Sequence, residues 1–321
     1  MAGSGWRRWL WPWELRRYGV LGINRRNAGY VLCVNPRRFY PQVDDKLLTK
    51  QICQGRGIRV PDTYAVIERH GDIRRFPDLL GDRQEFVIKP AQGAAGRGIV
   101  VIARREGDAL ITSSGQRHAI PDLRYHLSTI LSGLYSLGGQ PDRVILEQRL
   151  IRHPVFDAVA VGGTPDIRVV LYRSVPVMAM VRLPTQASRG RANLHQGAVA
   201  AAIQLPTGTT FGGVCRGRAV HVHPDTGQAI AGLQIPAWET VLASAMDLAD
   251  GLVLGYVGVD YVLDASLGPV VLEANARPGL AIQVANRRGL VPRLEFIDSQ
   301  PAEMRHPSRR RELVAAVSAI E

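Results

Sequence analysis

The sequence predicts an α+β fold, because helix and strand patterns mix along the chain without the regular alternation of a parallel α/β protein. Apolar runs at residues 167–172, 177–183 and 198–205 follow one another with short connections, which favours a largely antiparallel sheet. Residues 238–254 instead have the periodicity of a helix. With 321 residues, of which 46% are hydrophobic, the chain can bury one large or two modest cores.

The remaining segments show the same mixture of patterns. Residues 43–55 and 121–137 are predicted helices, the first of which closes on a glycine. Short strands are expected at residues 63–67 and 143–148. Two further β-branched runs, at residues 85–90 and 98–103, flank a glycine-rich stretch, and residues 256–263 with 269–274 predict a hairpin.

The composition indicates a basic globular protein with an anionic partner. The formal charge is +12 and the pI is near 10.2, which suits nucleic acid, acidic lipid, a nucleotide or an acidic peptide. Cys33, Cys53 and Cys215 have no metal-ligand or redox spacing, so the sequence suggests neither a disulfide scaffold nor a zinc site. A reducing, cytoplasmic location is therefore expected.

The first eighteen residues interleave tryptophan with arginine. The residues concerned are Trp6, Trp9, Trp11 and Trp13 with Arg7, Arg8, Arg16 and Arg17. No apolar run here is long enough for a signal segment or a spanning helix. Such a segment can lie at a membrane interface, as a peripheral contact at the inner face. The alternative is that it packs on the protein's own surface or frays, with Pro12 limiting any helix.

The glycine-rich stretch at residues 92–98 lies between two strands, whereas Rossmann and Walker loops lead from a strand into a helix. Small residues such as Gly93 and Gly96 would let backbone N–H groups approach phosphate oxygens, as a flap over a nucleotide. Lys89 precedes the loop and could reach the same phosphates as a point charge. The alternative is an ordinary glycine-rich turn.

The hairpin near the C-terminus predicts a metal site. Centring its turn between Ser266 and Leu267 places Asp260 opposite Glu273, and strand alternation puts Asn275 on the face of Glu273. Two opposed carboxylates repel unless a cation lies between them, and this oxygen donor set suits Mg²⁺. The alternative is a set of solvent-facing polar residues on an edge strand.

Arginines are concentrated between these two features. Asp166 and Arg168 share a strand face, and the turn after Tyr172 places Asp166 opposite Arg182. A cross-strand salt bridge is one interpretation. The other is that fixed arginines, including Arg189 and Arg191, offer bidentate donors to phosphate or carboxylate oxygens.

Taken in order, these motifs resemble those of ATP-grasp enzymes, especially RimK-like alpha-L-glutamate ligases and the alpha-L-glutamate ligase-like proteins. The matching elements are Lys46, VIKP at residues 87–90, the glycine-rich loop, DIR at 166–168, RANLH at 191–195, GVD at 258–260 and LEANARPG at 272–279. The resemblance covers residues 43–300. It implies an ATP-grasp fold, in which two α+β subdomains clasp the nucleotide, with a hinge near residues 147–150.

The resemblance also assigns roles to individual residues. It implies that Lys46 and Lys89 contact ATP phosphates, that Glu147, Gln148 and Arg149 line the adenine pocket, that Asp166 lies near the ribose, that Arg191 and Asn193 lie at the phosphates, and that Asp260, Glu273 and Asn275 bind Mg²⁺. Mn²⁺ is the alternative ion. The hinge residues depart from the family pattern, in which an aromatic residue follows the acidic one.

The activity that the resemblance implies is ATP-dependent formation of an amide or peptide bond. The γ-phosphoryl group of ATP would pass to a substrate carboxylate, and an amine would attack the acyl phosphate. Lys89 would offset developing charge, and Arg168 would stabilise the acyl phosphate or its tetrahedral successor. Glutamate and a peptide or protein acceptor are the expected substrates, and nucleic acid is not expected.

The domain organisation follows from the same resemblance. Residues 1–42 are expected to form a short N-terminal segment, residues 43–300 the ATP-grasp domain, and residues 301–321 a helical tail. RimK-like ligases carry a sizeable domain before the position of Lys46, where fewer than fifty residues stand here, so a truncated pre-ATP-grasp segment is expected. Two rival functions remain: a ligase for a cell-envelope or sugar-linked precursor, and a non-catalytic basic binding protein.

Overall fold

The computed structural model describes residues 11–93, 96–107 and 109–320. The α-helices are α1 (Pro12–Arg17), α2 (Ile23–Arg25), α3 (Leu32–Val34), α4 (Pro41–Asp44), α5 (Lys46–Gly55), α6 (Phe76–Leu80), α7 (Ile120–Leu131), α8 (Trp238–Leu252), α9 (Ala281–Asn286), α10 (Val291–Ser299) and α11 (Arg310–Ser318). A π-helical stretch, Arg26–Val31, connects α2 to α3.

The strands divide between two antiparallel sheets. They are β1 (Thr63–Ile67), β2 (Phe86–Pro90), β3 (Val100–Glu106), β4 (Ala109–Thr112), β5 (Arg117–His118), β6 (Val144–Glu147), β7 (Asp166–Tyr172), β8 (Val175–Leu183), β9 (Val199–Ile203), β10 (Thr210–Cys215), β11 (Arg218–Ala219), β12 (Tyr256–Asp264) and β13 (Gly268–Asn275). The first sheet has the order β1-β6-β2-β3-β4-β5, and the second β11-β10-β9-β8-β7-β12-β13. This arrangement confirms the predicted α+β class.

Each sheet has its own hydrophobic core. In the first, α7 packs Leu123, Leu127 and Ile130 with Phe86 and Ile88 of β2. In the second, α8 lies against β7, β8 and β12, while α9, α10 and α11 also contact β8. Because several helices contact the central strand β8, the strand is buried and apolar along almost its whole length. Its residues do not alternate between apolar and polar.

Two predicted helices differ from the observed ones. The helix expected at residues 43–55 is interrupted at Asp45, which has extended φ and ψ of −107° and 111° and accepts a hydrogen bond from the N–H of Leu47. Asp45 therefore acts as the N-cap of α5, which begins at Lys46. The helix expected at residues 121–137 stops at Leu131, because Gly133 adopts a left-handed φ of +83° that continues away from the helix.

The segment that precedes α5 packs on the second sheet. Leu21, Tyr30 and Val31 belong to that sheet's core. Asn35 is buried and makes three hydrogen bonds: its Nδ2 donates to the carbonyls of Tyr256 and Ala276, at 2.7 and 3.1 Å, and its Oδ1 accepts from the N–H of Tyr256, at 2.8 Å. The amide side chain of Asn35 thus holds this segment against the first residue of β12.

None of the helices in the described ranges combines the length and the apolar composition that crossing a membrane requires.

We expect Asn35→Ala to lower the free energy of unfolding by about 3 kcal/mol, because it leaves backbone groups of Tyr256 and Ala276 buried without partners. Denaturant unfolding measures this change. Asn24→Ala, at an exposed position of α2, is the matched control and should change stability by less than about 0.5 kcal/mol. Equal effects of the two substitutions would contradict the role given to Asn35.

Candidate functional site

Lysine is used at only three positions in this arginine-rich chain, and all three lie in one place. They are Lys46, Lys50 and Lys89, with exposed fractions of 8%, 4% and 4%. Burying an ammonium group costs several kcal/mol unless it is paired and hydrogen-bonded. The fold must therefore supply carboxylates and carbonyls to these three groups.

Glu147 supplies the carboxylate for two of the lysines. Its Oε2 lies 2.5 Å from Nζ of Lys50, and its Oε1 lies 2.6 Å from Nζ of Lys89. Lys50 also donates to the carbonyl of Pro61 and to Oγ1 of Thr63, both at 2.8 Å. Burial lowers the pKa of Lys50, and the nearby Glu147 partly opposes that effect.

Lys50 is absent from the residues that sequence analysis selected. Two signals in the sequence could have identified it. It lies four residues after Lys46 on the same helix, which places the two side chains on one face. It is also one of the few lysines in a chain that otherwise uses arginine for positive charge.

The structure gives the three hinge residues protein partners of their own. Besides the lysines held by Glu147, the N–H of Gln148 donates to the carbonyl of Asp62 at 2.8 Å, and the N–H of Asp62 donates to Oε1 of Gln148 at 3.2 Å. Arg149 contacts Glu85 at 2.8 Å and the carbonyl of Ala103 at 3.3 Å. The adenine pocket at this hinge stays a prediction. Because the three side chains already have protein partners, mainly backbone groups remain to form such a pocket.

Lys46 connects the two sheets. Its Nζ donates to the carbonyl of Gly93 beside the first sheet, at 2.6 Å, and lies 4.0 Å from Oε2 of Glu273 in the second. Its backbone N–H donates to the carbonyl of Ala91 at 3.0 Å. Burial lowers the pKa of Lys46, while Glu273 acts in the opposite direction. The start of α5 is therefore a polar contact between the two halves of the fold.

The glycine-rich loop is fixed at both of its ends, and residues 94 and 95 lie outside the described ranges. The N–H of Gln92 donates to the carboxylate of Asp142 at 3.0 and 3.1 Å. A Cβ on Gly93 would lie 2.2 Å from Cγ of Pro90, and one on Gly98 would lie 2.6 Å from the ring of Tyr135. Glycine is required at these two positions by close packing. Gly96 differs, because it needs glycine for its left-handed φ of +69° and has open space around it.

The hairpin register predicted for the carboxylates is confirmed at Asp260 and Glu273, which pair directly. Asp264 pairs with Gly268, so the turn is centred on Ser266. The predicted centre, between Ser266 and Leu267, differs from it by half a residue. A bulge at Leu272 adds one residue to β13 and restores the pairing beyond it. Nδ2 of Asn275 lies 3.3 Å from Oε1 of Glu273, so Asn275 shares the face of that carboxylate.

Asp260 is bound by two arginines. Arg168 makes a bidentate contact with it at 2.7 and 2.5 Å, and Nη2 of Arg182 lies 3.2 Å from its Oδ2. Burial acts to raise the pKa of Asp260, but the two guanidinium groups hold it below its usual value. Asp260 is therefore a carboxylate that stays ionised while almost completely buried.

Asp166 is paired with Arg182 across the strands, as one of the two sequence interpretations predicted. Nε and Nη2 of Arg182 each lie 2.5 Å from an oxygen of Asp166. Burial raises the pKa of Asp166 to about 6 against the effect of Arg182. The contact to the ribose that the resemblance implies for Asp166 stays a prediction, and it would have to coexist with this bidentate pair.

Arg191 and Asn193 contact only their own loop among the described residues. Arg191 is exposed and its Nη1 lies 3.4 Å from Oε1 of Gln196. Oδ1 of Asn193 accepts from the N–H of His195 at 2.9 Å and caps a short 3-10 helix. Their role at the phosphates stays a prediction. Within the ranges described, no hydrogen bond or ion pair joins them to the buried lysines or to the carboxylates of the hairpin.

The oxygens of the hairpin fit a hard divalent cation in chemical type. Glu273 is 35% exposed at its side chain, with Nδ2 of Asn275 at 3.3 Å and Nζ of Lys46 at 4.0 Å. Asp260 accepts three hydrogen bonds from arginine, two of them on Oδ2, so Oδ1 is its less occupied oxygen. The described residues hold no group of three His, Cys, Asp or Glu side chains in metal-binding proximity. Glu273 and Asn275 are thus the partly exposed oxygen-bearing residues of the hairpin, and their role as metal ligands stays a prediction.

We expect Glu147→Gln to destabilise the protein by about 3 kcal/mol, because two buried ammonium groups would share a neutral partner. Lys50→Met should cost less, about 1–2 kcal/mol, since Glu147 keeps Lys89. Denaturant unfolding compares the two variants. Glu85→Gln, which removes an exposed carboxylate beside Arg149, is the control and should cost less than about 1 kcal/mol. Equal losses from Glu147→Gln and Lys50→Met would rule out a shared carboxylate.

Several solved structures are similar to this chain. The ATP-grasp ligase PsnB complexed with a minimal precursor is 16% identical, with 84% of this chain and 64% of that chain covered and a TM-score of 0.45. D-alanine–D-alanine ligase from Bacillus anthracis complexed with ATP is 16% identical, with coverages of 86% and 66% and a TM-score of 0.42. D-cycloserine synthetase DcsG is 15% identical, with coverages of 88% and 73% and a TM-score of 0.42.

The chain spans less than two thirds of the length of the first two of these proteins. A comparison with curated protein sequences finds no match. The sequence profile of the sugar-transfer associated ATP-grasp family matches residues 25–299, which include both sheets from β1 to β13. The chain therefore belongs to the sugar-transfer associated ATP-grasp family and has the ATP-grasp fold.

Proposed function

We propose that this protein is an ATP-dependent carboxylate–amine ligase. The observation that supports the proposal most directly is the gathering of all three lysines with opposed carboxylates where the two sheets meet at α5. Lysines are expensive to bury, and this chain, which uses arginine for positive charge elsewhere, places all three of its lysines here. Flexible point charges beside a glycine-rich loop suit the phosphates of a nucleotide.

In this proposal the chain's residues bind and orient the reactants. Lys46 and Lys89 would offer ammonium groups to the phosphates, and Glu273 and Asn275 would hold Mg²⁺, or Mn²⁺ in its place, with Asp260 as an added ligand. The ion would neutralise phosphate charge when bound. Asp260 meanwhile fixes the guanidinium of Arg168 in one orientation through its bidentate contact.

The reaction has two steps. A carboxylate oxygen of the first substrate takes the γ-phosphoryl group of ATP, which leaves ADP and an acyl phosphate. The amine nitrogen of the second substrate then bonds to the carbonyl carbon, loses a proton and expels inorganic phosphate. Arg168 is oriented to stabilise the charge that develops on the carbonyl oxygen, which is usually the largest catalytic contribution.

The identity of the two substrates is the more specific part of the proposal. The motif resemblance to RimK-like ligases favours glutamate, joined to a peptide or protein acceptor. The family to which the chain belongs favours a second candidate, a ligase for a cell-envelope or sugar-linked precursor, because that family is described as sugar-transfer associated. A non-catalytic scaffold is disfavoured by the directly paired Asp260 and Glu273, which such a scaffold has no need to keep opposed.

The scarcity of lysine makes the nucleotide site directly testable. An ATP analogue with an acyl-phosphate group acylates amines near its binding site, and this chain offers only Lys46, Lys50, Lys89 and its α-amino group. We expect mass spectrometry to find the label on Lys46 or Lys89 and excess ATP to suppress it. Labelling of the α-amino group alone, or labelling that ATP does not reduce, would contradict a nucleotide site among the lysines.

Turnover is tested by ADP release with MgATP, glutamate and candidate acceptors. Peptide acceptors and sugar-linked amines are supplied in separate reactions, and the ligated product is identified by mass. ADP release that needs both a carboxylate and an amine supports the ligase proposal, and the productive acceptor decides between its two versions. Binding of ATP without any substrate-dependent release would favour the scaffold.

We expect Glu273→Gln to lower the turnover rate by about 100-fold or more and to raise the Mg²⁺ concentration needed for half-maximal rate, because it removes the accessible charged ligand without changing side-chain volume. Initial rates across a Mg²⁺ titration measure both changes. Glu303→Gln, at an exposed position after α10, is the control and should keep the wild-type rate. An unchanged Mg²⁺ dependence in Glu273→Gln would remove Glu273 from the metal site.

A further inference from the structure

Two tryptophan rings of the first helical segment are exposed to solvent. Trp11 and Trp13 stack with ring centroids 4.9 Å apart and an angle of 7° between their planes. They remain 53% and 57% exposed, and Leu15 and Tyr18 of the same segment are exposed as well. Large aromatic side chains gain most from burial, so a contiguous exposed set of them marks an interaction surface.

The segment is held firmly by its C-terminal end. A Cβ on Gly289 would lie 2.1 Å from backbone atoms of Gly19, and the N–H of Val291 donates to the carbonyl of Gly19 at 3.0 Å. Leu21 is buried and exchanges hydrogen bonds with the side chain of Gln283 at 2.7 and 3.1 Å. The protein thus anchors the chain from Gly19 onward and leaves the preceding aromatic residues uncovered.

The charge of this part of the chain is strongly positive. The first 43 residues contain eight arginines and one acidic residue, Glu14. Glu14 accepts from the backbone N–H of Trp11 at 2.8 Å, where it helps to form the start of α1. Arg16 and Arg17 lie beside the exposed aromatic residues and are themselves exposed. An anionic surface is the electrostatic complement of this segment.

We propose that residues 11–18 dock on the surface of an anionic phospholipid bilayer. Indole rings settle at the level of the lipid headgroups, where the ring is half buried and its N–H stays hydrated, and arginines there pair with lipid phosphates. Trp11 and Trp13 are exposed and supply the indole rings at headgroup level. Arg16 and Arg17 are exposed and supply the positive charges that pair with lipid phosphates. This proposal does not depend on the proposed ligase activity.

The positive charge of the segment together with its amphipathic aromatic residues is the argument for a bilayer as the occupant of this surface. The surface combines few aliphatic side chains with tryptophan, tyrosine and arginine, which is the composition of the interfacial zone of a membrane. Trp6, Arg7, Arg8 and Trp9 continue the same composition in the residues that precede the described range. A short segment of this kind gives reversible binding that salt weakens, and not insertion across the membrane.

The tryptophan content of the chain provides the readout. Four of its five tryptophans lie in the first 13 residues, and the fifth, Trp238, is buried and donates to the carbonyl of Leu205. Intrinsic fluorescence therefore reports mainly on the N-terminal segment. The full-length protein is mixed with vesicles of phosphatidylcholine containing phosphatidylglycerol, and with vesicles of phosphatidylcholine alone. Sedimentation and quenching by lipids brominated in their acyl chains are then measured at low and high salt.

We expect sedimentation with the anionic vesicles at low salt, its loss at high salt, and quenching that places the indoles at headgroup depth. Trp11→Ser with Trp13→Ser should weaken binding at least about tenfold, and Arg16→Gln with Arg17→Gln about fivefold for each arginine. The matched controls are Tyr125→Ser with Leu134→Ser and Arg74→Gln with Arg75→Gln, which alter exposed aromatic, aliphatic and basic residues elsewhere and should bind as the wild type does.

Several results would overturn the proposal. One is the absence of binding to anionic vesicles at low salt. Another is binding that the paired tryptophan substitutions leave unchanged, or that the control pairs reduce equally, since either would indicate general charge attraction. Concentration-dependent self-association that Trp11→Ser with Trp13→Ser abolishes, without vesicle binding, would assign the surface to a second copy of the chain. Circular dichroism and thermal unfolding show that each variant remains folded.

Discussion

The burial of three ammonium groups is the constraint on which the arrangement of the two sheets depends. Lys46 and Lys50 are both carried by α5, one turn apart; Lys50 pairs with the first sheet, and Lys46 lies between the two halves of the fold. Glu147, at the end of a central strand of the first sheet, neutralises Lys50 and Lys89, whereas Glu273 of the second sheet lies near Lys46. Because an unpaired buried charge is so unfavourable, α5 has a stable position only where both carboxylates reach it.

A second charged network governs the other side of the site. Arg168 and Arg182 hold Asp260 in its ionised form, and Arg182 is shared with Asp166. A carboxylate that accepts from two guanidinium groups fixes their orientation. Asp260 therefore orients Arg168 through a bidentate contact, whereas Glu273 and Asn275 are partly exposed.

The use of two basic residue types has a physical basis. Arginine serves at the surface and in the bidentate pairs, where its planar fork matches a carboxylate. Lysine is confined to three buried positions, where a compact charge on a flexible stem lies beside protein carboxylates. All three lysines lie where the two sheets meet at α5, within the residues that the family profile matches.

The sequence by itself determined the fold class, most strand positions and the pairing of Asp260 with Glu273, because strand periodicity and a short turn are local properties. It did not reveal the break at Asp45, the bulge at Leu272 that keeps the pairing in register, or the place of Lys50. Only the tertiary structure decided that Glu147 faces two lysines and that Asp260 faces two arginines. Which charges meet depends on how distant strands and α5 pack together. Because a buried charge is unfavourable without a partner, this packing determines which ion pairs form.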